Sequence, residues 1–411
     1  MFMKKLVLLF LLLALPCAAR AEGLRIVTAS DLHYLSPALV DDRNALLRIV
    51  SAADGKVTHY TPQIVHAFVD EMLDQAPDAI ILSGDLTLNG GIESHRELIS
   101  LLSPLRQAGI PVLVIPGNHD CTGKAYRFTA HGAQPVAGMT WEQFPEAYAD
   151  FGYADALSRD EASFSYVYAL SPTLRLLLLD VNTPDAPGGL RDETLRWAQE
   201  QLRAAAQAGA QVIGVSHQNL LVHYAGFAVG FQISNANRLA ALYSQYGVKL
   251  HLSGHMHLQH IAQDGCTTEI ATSSLAVYPH HYGMIALSDA EAAYAAHPLD
   301  VAAWARAQGI DDENLLNFKD YSQPFFDACN SSHGLPQIDA LHISAQDKAA
   351  MLAYARALNR AVFAGVDPQT LDQSALALWQ RHLPASFFSQ YIQWMLDSVP
   401  TDMRQKTVPL R

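Results

Sequence analysis

The stretch VLVIPGNHD, residues Val112–Asp120, joins an apolar run to a short polar string. Its first part is nearly continuous in Val, Leu and Ile, which is typical of a strand covered on both faces. Its second part, Gly117-Asn118-His119-Asp120, combines uncommon residue types in an order expected only about once in a thousand chains of this length. The stretch therefore predicts a buried strand that carries polar groups to the edge of a sheet.

Five further apolar runs before Asp289 have the same character: LRIVTAS, AIILSG, RLLLLDV, QVIGVSH and VKLHLSGH. Stretches with helical spacing separate several of them, with apolar residues at Ile64, Phe68 and Met72, at Leu98, Leu102 and Leu105, and at Leu195, Ala198 and Leu202. This alternation predicts a layered α/β domain over residues 22–289. Residues 290–411 are Ala-rich with helical spacing, and they predict a small all-helical C-terminal domain.

Polar residues follow most of these runs at the point where each predicted strand ends. They are Asp31 and His33, Asp85, Asn118, His217, and His255 and His257. The carboxyl ends of parallel strands lie along one edge of a sheet, so side chains far apart in sequence can converge there. Oxygen and imidazole nitrogen without thiolate suit Zn, Mn, Fe, Ni or Co. Seven ligands exceed what one such ion takes, and the set predicts two divalent ions with one bridging carboxylate.

Taken singly, these residues have simpler interpretations. Asp31 and His33 fit a turn, Asp85 fits a loop or a helix cap, and His217 fits a buried, hydrogen-bonded histidine. The joint order, with each piece after a predicted strand, favours the two-metal site.

In this order, Asp31-x-His33, Gly84-Asp85, Gly117-Asn118-His119-Asp120, His217 and Gly254-His255-x-His257 resemble the calcineurin-like metallophosphoesterases. Within that family the chain looks most like exported bacterial proteins related to class III cyclic nucleotide phosphodiesterases, some of which carry a helical C-terminal domain. The resemblance covers residues 24–288 and implies a four-layer αββα sandwich, with two sheets flanked by helices.

The resemblance also implies roles for single residues. Asp31, His33, Asp85 and His257 would hold one metal, and Asp85, Asn118, His217 and His255 the other, with Asp85 as the bridge. His119 would be the catalytic group that contacts the phosphate and helps the leaving oxygen depart, and Asp120, grouped with it at the catalytic site, would support it from behind without binding a metal. Purple acid phosphatases, which share the fold, have a metal-binding Tyr three residues after the bridging Asp. Leu88 stands there in this chain, so no tyrosinate–iron colour is expected.

The predicted reaction is hydrolysis of a phosphodiester, with a nucleotide or cyclic nucleotide as the substrate class that the resemblance implies. Two divalent ions lower the pKa of a shared water, and the resulting hydroxide would attack phosphorus in line. A phosphomonoesterase or a nucleotide–lipid pyrophosphatase would use the same metal core and is the enzymatic alternative. A protein-binding scaffold is the alternative from another class, which the complete ligand set disfavours.

The N-terminal residues 1–21 predict a cleaved export signal, with Lys4 and Lys5 before a short apolar run and an Ala19-Arg20-Ala21 ending. The run is too short to span a membrane, so the expectation is a periplasmic or secreted protein without stable membrane insertion. Cys17 lacks the small-residue setting of a lipoprotein cysteine. Cleavage removes three basic residues and no acidic one, which takes the formal net charge from −13 to −16 and argues against a nucleic acid partner. Mn, Fe, Zn and Co all remain candidates for the two ions, and a small phosphoester is the expected substrate.

Overall fold

The computed structural model describes residues 23–51, 55–332 and 334–411. The export signal predicted for residues 1–21 lies outside these described residues. Within them the chain forms the strands β1 Leu24–Ala29, β2 Ala79–Leu82, β3 Val112–Val114, β4 Lys124–Thr129, β5 Gly132–Ala137, β6 Ser158–Arg159, β7 Tyr166–Ser171, β8 Leu174–Leu179, β9 Asn182–Thr183, β10 Ala186–Pro187, β11 Gln211–Ser216, β12 Leu250–Ser253, β13 His260–Gln263, β14 Thr268–Ala271, β15 His281–Leu287, β16 Glu291–Pro298 and β17 Gln405–Pro409.

The α-helices of the same residues are α1 Arg43–Val50, α2 Thr61–Gln75, α3 Ile92–Gln107, α4 Phe144–Ala147, α5 Asp192–Gln207, α6 Ala236–Tyr246, α7 Val301–Ala307, α8 Glu313–Leu316, α9 Phe318–Ser331, α10 Leu335–Asp339, α11 Ala345–Phe363, α12 Gln373–His382 and α13 Phe387–Ser398. Local sequence explains where several of them begin. Pro62 lies in the first turn of α2, where a missing N–H costs nothing. The Ser344 side chain accepts a hydrogen bond from Asp347 N and caps α11.

Two large sheets contain all six of the apolar runs that predicted strands. The first sheet has the order β17-β16-β15-β1-β2-β3, in which β1, β2 and β3 run parallel. The second has the order β13-β14-β12-β11-β8-β7-β6, in which β8, β11, β12 and β14 run parallel. The carboxyl ends of these parallel strands are the ends from which the predicted ligands extend.

The core shows how the layers are stacked. One hydrophobic cluster joins both sheets, with Ile26 and Ile80 from the first and Leu176 and Ile213 from the second, and it continues to Phe68 on α2. A separate cluster covers the opposite face of the second sheet, where Leu177 and Leu179 pack with α5 and α6. Helices therefore flank two facing sheets, and the predicted αββα sandwich is confirmed.

The C-terminal region is helical, as predicted, but two strands that the sequence did not reveal enclose it. β16 begins at Glu291 and pairs with β15, and β17 near the chain's end pairs with β16. The proposed boundary at residue 289 thus falls just before a strand of the first sheet, and the helices themselves lie between Val301 and Ser398. Ala-rich β16 lacks the Val and Ile content that identified the other strands.

None of the helices in the described ranges is both long and apolar enough to cross a lipid bilayer.

Candidate metal centre

The main chain at the predicted site is unusual. Positive φ angles are uncommon outside glycine, because the side chain crowds the main chain there. The described residues include seven non-glycine positions with positive φ, and five of the seven are predicted ligands: Asp31, His33, Asp85, His255 and His257. Such conformations cluster at functional sites, where the surrounding structure holds them in place.

The first predicted ligand group comes together beyond the carboxyl ends of β1, β2 and β12. Ligand atoms of Asp31, His33, Asp85 and His257 all lie within 4.8 Å of one another. His257 Nε2 lies 3.3 Å from Asp31 Oδ1 and 3.0 Å from His33 Nε2. Asp31, His33 and Asp85 are buried, with at most 1% of each residue exposed.

The second group shares Asp85 with the first. Ligand atoms of Asp85, His217 and His255 also lie within 4.8 Å of one another. His217 Nε2 lies 3.3 Å from Asp85 Oδ2 and 3.1 Å from Asn118 Oδ1. The structure thus brings all seven predicted residues together, with Asp85 at the position expected of a bridging carboxylate.

Two glycines let the loops approach closely enough for this. A Cβ at Gly117 would lie 2.2 Å from both the main-chain nitrogen and Oδ1 of Asp85. Gly84, with φ of +96°, has no room for a Cβ beside the His217 ring and Gly117 N. The tight packing of Gly117 on Asp85, rather than a special backbone angle at Gly117, explains why glycine is needed in VLVIPGNHD.

The donor atoms fit cations. His217 Nδ1–H donates to the Ser83 carbonyl at 2.8 Å, which directs Nε2 toward Asn118 Oδ1 and Asp85 Oδ2. Nε2 and these two oxygens converge on a position that a positive charge would stabilise. Asp31 Oδ1 is buried and has no hydrogen-bond partner among the described residues, which is costly for a carboxylate oxygen. Buried acceptors without donors are the environment that divalent ions complete.

The electrostatics of the site favour positive charge. Burial alone raises the pKa of Asp31, but the neighbouring His257 outweighs burial and holds that pKa well below its usual range. Burial acts in the same sense on Asp85, and the adjacent His217 again outweighs it and lowers the pKa. Burial lowers the pKa of His217, yet the Asp85 charge and hydrogen bond raise it to about 9. The two carboxylates are therefore ionised and attract cations.

His119 differs from the predicted ligands in its exposure. Its side chain is 38% exposed, and its Nε2 lies 3.8 Å from Asp85 Oδ2. Its Nδ1–H donates to the Leu88 carbonyl at 2.7 Å, so Nε2 faces the two ligand groups. The ring packs edge-on against His33 at 5.1 Å between centroids. This position at the open rim is suited to contact with a bound substrate.

Asp120, the predicted partner of His119 at the catalytic site, lies behind the two loops that carry the ligands. Its carboxylate is fully buried and accepts hydrogen bonds from Thr87 N at 2.9 Å, Leu86 N at 3.1 Å and Gly117 N at 2.9 Å. Burial and the Asp85 charge raise its pKa to about 6. Asp120 ties the loop after β2 to the loop after β3, and it is a positioning residue rather than a group that meets substrate.

Several groups that support the site could not be identified from the sequence. The carbonyls of Ser83, Leu88 and Gly230 orient His217, His119 and His255, and a main-chain carbonyl has no residue type to reveal it. His95, on α3, lies 3.0 Å from the Asp120 carbonyl through Nε2 and 2.8 Å from Tyr148 OH through Nδ1. The position of His95 in the amphipathic helix α3 gave no indication that its side chain contacts the Asp120 carbonyl.

Comparisons with known proteins agree with this geometry. Residues 24–259 match the calcineurin-like phosphoesterase family, and residues 300–402 match the C-terminal domain of cyclic nucleotide phosphodiesterase. A probable cyclic nucleotide phosphodiesterase of Synechococcus is 26% identical over 61% of this chain and 84% of its own length. A cAMP/cGMP dual specificity phosphodiesterase of Mycobacterium tuberculosis is 26% identical over 46% of this chain, and the match spans only about half, 52%, of that relative.

Among solved structures, a dimetal phosphatase from Danio rerio aligns over 67% of this chain and 96% of its own, with 12% identity and a TM-score of 0.49. The family match covers more than half of the chain and includes every predicted ligand. The chain therefore belongs to the calcineurin-like phosphoesterase family and is a metal-dependent hydrolase.

Proposed function

We propose that the protein hydrolyses phosphodiesters, with nucleotides or cyclic nucleotides as its substrate class. The observation that supports this most directly is the pair of ligand groups that share Asp85, with His119 exposed beside them. The names of the two similar proteins, both cyclic nucleotide phosphodiesterases, favour a diester over a monoester.

Two divalent ions at such a site, when bound, activate water and neutralise the charge that develops on a phosphoryl group. Asp31, His33, Asp85 and His257 would hold one, and Asp85, Asn118, His217 and His255 the other. The oxygen and nitrogen donors suit Mn, Fe, Zn or Co. Leu88 has an aliphatic side chain and so offers no phenolate to a metal. This side chain packs beside a hydrophobic cluster, and the Leu88 carbonyl accepts the hydrogen bond from His119.

His119 has the geometry of a proton donor to the leaving oxygen. Its Nδ1–H is fixed on the Leu88 carbonyl, so a proton on Nε2 would point toward the substrate side of the site. The same proton stabilises negative charge on a phosphoryl oxygen. Asp120 contributes indirectly, because it holds both loops that carry Asp85 and His119.

The test is a comparison of substrates with the purified protein loaded with Mn, Fe, Zn or Co in turn. A chromogenic phosphodiester, the corresponding monoester, 3′,5′- and 2′,3′-cyclic nucleotides and a nucleotide–lipid pyrophosphate would be assayed side by side. We expect diester turnover to exceed monoester turnover. Faster monoester cleavage would replace the proposal with a phosphomonoesterase, and cleavage of a nucleotide–lipid pyrophosphate alone would replace it with a pyrophosphatase. Absence of both metal binding and hydrolysis would favour a protein-binding scaffold.

We also propose that the protein is exported, with cleavage after Ala21. The basic start and short apolar run support this. N-terminal sequencing of the protein recovered from periplasm and medium tests it, and an intact Met1 in the cytoplasmic fraction alone would refute it.

A further inference from the structure

His255 is held by a loop that belongs to neither sheet. Its Nε2–H donates to the Gly230 carbonyl at 2.9 Å, and its ring packs at 5.3 Å from the Phe231 ring. When one ring nitrogen of an imidazole binds a metal, a hydrogen bond from the other ring nitrogen fixes the tautomer and the orientation of the ring. Because Nε2 carries the proton, Nδ1 is the atom left to bind a metal. The position of His255 therefore depends on where residues 226–232 lie.

The base of this loop is fixed within the α/β domain. Asn219 N donates to the Phe231 carbonyl at 3.0 Å, and Ile233 N donates to the Asn219 carbonyl at 2.8 Å. The buried Glu269 carboxylate accepts from Leu220 N at 2.8 Å. The tip of the loop is open to solvent, since Val229 is 97% exposed. Packing contacts that hold the loop near Phe227 must therefore come from another element.

Helix α13 provides that support. The Phe227 ring packs edge-on against Phe231 at 5.4 Å, and on its other side it meets Tyr391 at 6.2 Å and Trp394 at 6.0 Å. Gly226 lies so close to Trp394 that a Cβ there would be 2.3 Å from the indole ring. A continuous series of aromatic contacts thus runs from α13 through Phe227 and Phe231 to His255.

A second set of contacts connects the same helix to the metal loop. Met256, between His255 and His257, is buried in the hydrophobic cluster that also contains Ile392 and Met395 of α13. His260 Nε2–H donates at 2.7 Å to the Ser398 carbonyl, at the end of α13. An imidazole at a helix C-terminus satisfies a carbonyl that has no partner within the helix. Helix α13 is therefore packed against this region at both its middle and its end.

We propose that α13, through Trp394 and Phe227, positions His255 and so sets the affinity of one of the two metal sites. The affected site is the one that His255 shares with Asp85, Asn118 and His217. The ring contacts of this aromatic series reach His255, which belongs to this site alone, so we expect the affinity of the site of Asp31, His33 and His257 to change much less. The inference rests on the proposed dinuclear site and assigns Trp394 and Phe227 as positioning residues.

The test compares Trp394→Ala and Trp394→Phe with the unmodified full chain. Metal binding is measured by equilibrium dialysis with Co(II), counted per chain, with the visible Co(II) spectrum as a second readout. We expect Trp394→Ala to bind one of its two ions at least tenfold more weakly and its affinity for the other to change much less. Trp394→Phe keeps an aromatic ring and should restore most of the lost affinity. Gln390→Ala, on the exposed face of α13, is the matched control and should bind both ions as the unmodified protein does.

The possible results separate this inference from the proposed function. Two unchanged Co(II) affinities in Trp394→Ala would overturn the inference while leaving the dinuclear site in place. Equal weakening of both ions, accompanied by a lower Tm, would show a general packing role and would also overturn it. If Trp394→Ala does not fold, Phe227→Ala breaks the same series from the loop side and must give the same selective loss. If the unmodified protein binds no second ion, both the proposed function and the inference fail.

Discussion

Gly117→Ala is the smallest substitution that should disable the site. An added Cβ would lie 2.2 Å from Asp85 N and from Asp85 Oδ1, whereas ordinary van der Waals contact begins at 3.4 Å. The two loops must therefore separate by about 1.2 Å, because one of the clashing atoms is the Asp85 main-chain nitrogen and rotation of a side chain alone cannot relieve the clash. Overpacking of this kind costs about 1–3 kcal/mol of stability.

The functional effect should exceed the effect on stability. Asp85 Oδ1 accepts from His119 N at 2.8 Å, and Asp85 Oδ2 faces His217, so a shift of Asp85 disturbs both ligand groups and His119 together. A misplacement of about 1 Å costs on the order of 100-fold in rate. We expect at least that loss in kcat for a chromogenic phosphodiester, with reduced metal content and a Tm lowered by several degrees.

Gly265→Ala is the control for adding a methyl group to a loop glycine. Gly265 lies in the turn between β13 and β14, its φ is not positive, and no atom lies within 4 Å of a Cβ built there. This variant should match the unmodified protein in metal content, rate and Tm. Gly117→Ala protein that retained two metals and at least half of the normal rate would refute the close-packing argument.

Three further predictions concern single groups. His119→Ala should keep two metals but lose about 100-fold or more in kcat, and full activity would remove its assigned role. Chelation should lower the Tm of the unmodified protein but not of Asp85→Asn, because only the former gains stability from bound ions; scanning calorimetry measures both. Burial raises the pKa of Glu269, but the neighbouring His223 outweighs burial and lowers it to about 2. The ionised Glu269 therefore stabilises the fold above pH 4.5, and this contribution is lost as the pH falls toward 2. Urea unfolding of Glu269→Gln should show a loss of about 2–3 kcal/mol at pH 7 and a flatter decline below pH 4.5, and an unchanged acid decline would contradict this.

The sequence predicted the parts of the fold in which one residue pattern determines one structure. Runs such as AIILSG are typical of covered strands, and the polar residues after parallel strands are expected at one sheet edge. β16 and β17 were missed because Ala-rich and Lys-containing segments do not identify a strand without knowledge of the neighbour with which they pair. Asp120 was predicted as a supporting partner of His119, but its place in the sequence did not indicate which groups it holds, and its side chain points into the Thr87 loop.

The supports of the site were hidden for a related reason. His255 depends on a carbonyl, Gly230, and on aromatic residues 130 or more positions later, and no spacing rule connects such groups. The same holds for α13, whose apolar residues fit a helical core equally well whether or not the helix borders the metal loop. Contacts such as the packing of Trp394 on Gly226 and Phe227 distinguish these cases.

The positive φ angles at Asp31, His33, Asp85, His255 and His257 bear on how the site is built. Each such angle costs about 1–2 kcal/mol relative to ordinary backbone. Main-chain hydrogen bonds hold the strained residues, as when Asp31 N donates to the Gly84 carbonyl at 3.1 Å and His33 N donates to the Asp85 carbonyl at 3.0 Å. These bonds join the loop after β1 to the loop after β2, so main-chain hydrogen bonds between the two loops contribute to holding the ligands in their strained conformations.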